Sequence, residues 1–134
     1  MAPAALPSPA APPLGSAELA AAERALAAAD LETVTTVQAV CRLDPEGGAP
    51  APQWEDRRIA WPALAAGVLP GLDLAASPGL MRRLARAAEV RMLAELARPV
   101  AHLDWRPVGL PLSPAVLDGP AFARFADALP AGRR

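Results

Sequence analysis

Few side chains in this 134-residue chain are equipped for chemistry, and they lie far apart. Glu55, in W-E-D-R-R (Trp54 to Arg58), carries a carboxylate without partner ligands around it. A single carboxylate is no site, and it reads sooner as a solvated charge at a strand edge than as a ligand. His102 is the only histidine, set between Ala101 and Leu103 with Asp104 nearby, and no second ligand or base stands at metal or acid–base spacing. Cys41 is the only cysteine. It alternates with apolar neighbours, which fits a small buried side chain better than an activated thiol, and it excludes an internal disulfide. Ser113 lies in L-S-P without the G-x-S-x-G turn of a nucleophile elbow, so helix capping accounts for it. Arg82, Arg83 and Arg86 can meet phosphate or form a solvated helix face beside Glu89. Gly47-Gly48 is a turn without a phosphate-loop pattern. The chain has no Lys, Asn or Tyr, so a Lys Schiff base or an Asn metal ligand cannot come from it.

The composition narrows the partners. The formal net charge is -1 and every basic side chain is Arg, which argues against a nucleic-acid binder with its basic excess. Prolines or charges break each apolar run short of a membrane span, and the N-terminus lacks the basic and apolar regions of a secretory signal. With the single cysteine this fits a cytoplasmic protein. The length allows one domain at most. Because much of its apolar content is alanine and only five residues are aromatic, a modest core is expected.

The elements that must position these side chains follow from periodicity and punctuation. Met1 to Gly15 is an Ala-Pro tract whose five prolines deny it a helix ladder, and it reads as a disordered leader before a domain over 16–134. Ser16 to Asp30 reads as a helix capped by Ser16, with Leu19, Ala22, Leu26 and Ala29 on one face. Thr33 to Leu43 is rich in β-branched residues and reads as a strand, with Val34, Thr36 and Gln38 facing one way and Thr35, Val37, Ala39 and Cys41 the other. Asp44 to Gly48 is a turn, and Trp54 to Ile59 is the returning strand of a hairpin. Trp61 to Val68 forms a short helix.

Ser77-Pro78 opens a long helix to Leu96. Its core stripe is Leu80, Met81, Leu84, Ala88, Met92 and Leu96, with Arg82, Arg83, Arg86 and Glu89 outward. Ala101 to Pro107 is a loop. Val108 to Leu112 reads as a short buried strand, followed by a Ser113-Pro114 helix start and a second start at Asp118-Gly119-Pro120 that places Phe122, Phe125 and Leu129 on one face. Strands separated by helices predict an α/β fold with a mixed or parallel sheet of about three strands and three to four helices.

Four passages together resemble the first half of an EAL-type domain, the cyclic di-GMP phosphodiesterase family. Q-A-V-C-R-L (Gln38 to Leu43) is similar to the family's opening strand. W-E-D-R-R stands where the E-x-L-x-R segment falls. G-L-M-R-R-L-A-R-A-A-E-V-R-M-L (Gly79 to Leu93) is similar to the helix that follows. V-G-L-P-L-S-P-A-V-L-D-G-P-A-F-A-R-F (Val108 to Phe125) is similar to V-N-L-S-P-x-x-L-x-D-P-x-F.

The resemblance implies a partial (β/α) barrel, whose complete form takes about 250 residues. It also implies a site in which two divalent cations, held by carboxylates and an Asn, activate water against a phosphodiester. Of that site, Glu55 stands for the first-strand carboxylate, and Pro111 occupies the Asn position with no side-chain oxygen. The family's Lys has no counterpart, and its later carboxylates would fall beyond Arg134.

The expectation is a degenerate, non-catalytic EAL-like domain needing no cofactor, although a complete family site would take Mg²⁺ or Mn²⁺. Cyclic di-GMP remains a possible ligand, and self-association or a protein partner would cover the exposed strand edges. The alternatives are a small α/β interaction module unrelated to cyclic nucleotides, and a truncated phosphodiesterase.

Overall fold

The computed structural model describes residues 15–98 and 107–130. The leader through residue 14, together with His102 and Asp104, therefore lies outside the described residues. Helix α1 (Ser16–Ala28) is followed by a 3-10 turn (Leu31–Val34), strands β1 (Thr35–Arg42) and β2 (Ala51–Ile59), and helices α2 (Trp61–Gly67) and α3 (Pro78–Leu96). Strand β3 (Val108–Gly109) and helices α4 (Pro114–Leu117) and α5 (Pro120–Ala128) complete it. The sheet order is β1-β2-β3, with β1 antiparallel and β3 parallel to β2.

The expected mixed α/β fold is present, with three strands and an unclosed sheet. Five α-helices stand among the described residues where three to four were expected, because Asp118-Gly119 divides the last helical stretch into α4 and α5.

Local chemistry sets most boundaries. Pro78, Pro114 and Pro120 each open a helix at its first position, where the missing N–H would have had no partner. The hairpin turn closes with Gly47 N–H donating to the Asp44 carbonyl at 3.1 Å, and Gly47 takes a φ of 88° that a side chain would strain. Capping departs from expectation. Ser16 lies inside α1, whose cap residue is Gly15, and neither Ser77 nor Ser113 caps its helix through its side chain.

The core is helical. Leu19, Ala22 and Leu26 of α1 are buried with Leu84, Ala88, Met92, Leu93 and Leu96 of α3; Leu64, Val116 and Phe125 join from α2, α4 and α5, and Leu31, Val34 and Leu69 from the 3-10 turn and the segment after α2. No residue of the three strands is buried. The alternation in β1 therefore does not mark a core-facing side: Val34 is buried, but from the 3-10 turn, while Val37 is 51% exposed. Two further expectations are corrected. The strand expected over Val108 to Leu112 covers only Val108–Gly109 and is half-buried. Cys41, expected in the interior, is also half-buried, beside an irregularity in the ladder between Val40 and Cys41.

Candidate functional site

The Glu55 region is built on the junction of the hairpin with the parallel strand. Glu55 lies opposite Val108 in the β2–β3 register, and its N–H donates to the Pro107 carbonyl at 2.9 Å. Side chains two apart on a strand share a face, so Glu55 and Arg57 are neighbours, with Arg57 Nη2 at 3.1 Å from Glu55 Oε2. Asp56 and Arg58 form the matching pair on the other face at 2.5 Å. The four charges of E-D-R-R thus form two ion pairs, one on each side of β2.

Arg57 lies beside an open cleft of about 680 Å³ between the sheet and the C-terminal half of α3. Thr35, Val37 and Arg57 line its sheet side, and Arg91 and Glu95 line the helix side. The Nε of Arg57 is buried there and finds no hydrogen-bond partner among the described residues. On the helix side, Glu95 Oε1 lies 3.0 Å from Arg91 Nη2 and Glu95 Oε2 lies 2.8 Å from Arg98 Nη1. Arg91 also reaches across to α1, donating to the carbonyls of Ala27 and Ala29. Asp30 accepts the N–H of Glu32 at 3.0 Å, which starts the 3-10 turn. Among these charged groups Arg91 ties α3 to the end of α1, while Arg57 pairs along β2 and Glu95 pairs along α3 and with Arg98.

This donor set does not fit a two-cation centre. Glu55 faces a guanidinium, Pro111 contributes no side-chain oxygen, and no group of three His, Cys, Asp or Glu side chains among the described residues could hold a metal ion. A divalent cation of the Mg²⁺ type needs several hard oxygens converging on one point.

The other candidates separate in space. Ser113 donates both its N–H and its hydroxyl to Glu89 of α3, at 2.9 and 2.7 Å. Glu89, expected on the outer face, is therefore turned toward the β3–α4 turn. Arg83 pairs with Glu23 of α1 at 2.9 Å, while Arg82 and Arg86 are exposed. The bonds of Glu89 to Ser113 and of Arg91 to α1 were missed by the sequence reading. Nothing local in the sequence marks either bond. No described helix is long and apolar enough to cross a membrane. Compared with protein-family models, curated proteins and solved structures, the chain matches none.

Proposed function

We propose that the chain is a degenerate EAL-like domain that works as an interaction module, with a regulatory role in cyclic di-GMP signalling, and that it performs no phosphodiester chemistry itself. The observation carrying this reading is the β2–β3 junction. Glu55-Asp56 of W-E-D-R-R and Val108-Gly109 of V-G-L-P-L-S are separated by helices α2 and α3, yet they pair as parallel strands with Glu55 opposite Val108. Two parallel neighbouring strands joined through helices form the unit that a (β/α) barrel repeats. The two passages that would supply the first ligands of an EAL-type site are thus adjacent, but one carries a carboxylate tied to Arg57 and the other carries Pro111.

Calorimetric titration of the purified chain with cyclic di-GMP, with and without Mg²⁺ or Mn²⁺, combined with chromatography for the linear dinucleotide, tests the reading. Binding without turnover is the expected result. Hydrolysis by the pure chain would overturn the non-catalytic assignment and favour a phosphodiesterase. No heat at high micromolar dinucleotide would favour an α/β interaction module unrelated to cyclic nucleotides. The exposed apolar side chains of the sheet give that second reading its support, with Val37 51% and Trp54 44% exposed.

A further inference from the structure

Among the described residues the outer edge of β1 is unpaired, and its composition is unusual for an exposed edge. Exposed edge strands are ordinarily blunted by Lys, Pro or inward charges, because a row of unpaired N–H and C=O groups templates another strand. From Thr35 to Cys41 the sequence T-T-V-Q-A-V-C has no charge, proline or glycine. Thr36, Val37, Gln38 and Ala39 are all exposed, and β1 pairs only with β2 among the described residues.

The register fixes which backbone groups point outward. Ala60 N–H donates to the Val34 carbonyl at 2.7 Å, so Val34 aims its backbone groups at β2, and Thr36 and Gln38, opposite Arg58 and Asp56, do the same. Glu55 turns its N–H the other way, to Pro107, as the alternation requires. The groups directed away from the sheet are then those of Thr35, Val37 and Ala39.

We propose that β1 is a self-pairing edge: two copies of this chain join antiparallel through it, on a two-fold axis at Val37. In that register Val37 faces Val37 of the second copy, and Thr35 faces Ala39 on both sides. All three outward-facing residues are then hydrogen-bonded pairs, closing one continuous sheet across the axis. The same register turns Arg42, at the end of one β1, toward the 3-10 turn that carries Glu32 ahead of the other, and does so at both ends. Moving the register by two residues in one direction carries Asp44 toward that turn and its Glu32, like charge toward like. Moving it in the other direction leaves Ala39 opposite Thr33, outside the strand. The uncharged centre and oppositely charged ends fit a second copy better than a strongly charged partner. This names a partner for the interaction module, but it stands apart from cyclic di-GMP, which takes no part in its test.

Analytical ultracentrifugation of the full chain tests it, and the expected species has twice the 13.8 kDa mass of one chain. Val37→Lys sets two ammonium groups against each other across the axis. Val37→Pro removes only an outward-facing N–H, which an edge strand tolerates. Both variants are expected to be monomers, and at least Val37→Lys keeps the wild-type circular dichroism. Val37→Cys in a Cys41→Ser background is expected to give a disulfide-linked dimer on mild oxidation, because a hydrogen-bonded pair sets its Cα atoms about 5.5 Å apart. Thr36→Cys and Gln38→Cys in the same background are not. A wild-type chain that stays monomeric at millimolar concentration would overturn the proposal and leave the edge to a different strand. So would a dimer that survives both folded Val37 variants, or one that cross-links at 36 or 38 in place of 37.

Discussion

Glu89 holds Ser113 through a single oxygen. Its Oε2 accepts the Ser113 N–H at 2.9 Å and the Ser113 hydroxyl at 2.7 Å, joining the middle of α3 to the start of α4 across 24 residues of chain. The N–H at a helix's cap position has no partner within the helix, and here a carboxylate from a neighbouring element satisfies it. The hydroxyl that might have capped α4 is committed to the same oxygen, so α4 and the β3 turn are positioned from α3 and not by local capping.

Glu89→Ala is therefore expected to destabilise the chain by about 1.5–3 kcal/mol, the range for hydrogen bonds to a charged group. Ser113→Ala, which keeps the N–H bond, is expected to cost about 1 kcal/mol. Urea denaturation of the two single variants and the double variant checks this. The double variant should fall short of the sum of the singles, because both remove the hydroxyl bond.

Arg91 anchors the end of α1. It donates to the carbonyls of Ala27 and Ala29, which the helix itself leaves without donors, and pairs with Glu95 one turn along α3. Arg91→Met keeps much of the packing and removes the fork. The expected loss is about 1–2 kcal/mol, with faster amide exchange in the last turn of α1 and little change in α5. Arg91→Lys should recover only part of the loss, since an ammonium cannot span two carbonyls and a carboxylate as a planar guanidinium does.

Elements defined by local rules were legible in the sequence. Ser77-Pro78, the stripe through Leu84, Ala88, Met92 and Leu96, and the turn at Gly47 each carry their signal within a few residues, and each stands where expected. What the sequence hid depends on partners far along the chain. Period-2 alternation in β1 implies a covered face only if something packs on it, and the helices here bury their stripes against one another. The Glu89 and Arg91 contacts span 24 and more than 60 residues, and nothing local distinguishes them from solvated charges. At the candidate site the carboxylate Glu55 was legible, but its pairing with Arg57 was not, because that depends on W-E-D-R-R forming an extended strand.

The partly exposed Glu55–Arg57 pair should contribute less than about 1 kcal/mol, so Glu55→Gln is expected to leave the urea midpoint almost unchanged. The same variant separates an ion-pair role from a metal role. Millimolar Mn²⁺ should shift the melting temperature of the wild-type chain and of Glu55→Gln by the same small amount. A shift present in the wild type and absent in the variant would make Glu55 a metal ligand.

Stability should be distributed unevenly between helices and sheet. Leu84 is fully buried in α3, the helix that packs against both α1 and α5, and Leu84→Ala leaves a cavity in the core. The expected cost is about 2–5 kcal/mol, a large share of the roughly 5–15 kcal/mol that holds a domain together. Val37→Ala removes a comparable aliphatic group from a half-exposed strand and should stay within about 0.5 kcal/mol at concentrations where the chain is monomeric. Urea titrations followed by circular dichroism measure both. Equal midpoint shifts would mean that the sheet is packed as tightly as the helices, which is incompatible with an uncovered β1. A large shift for Leu84→Ala alone places the folding energy in the helical layer and leaves the strands to present a surface.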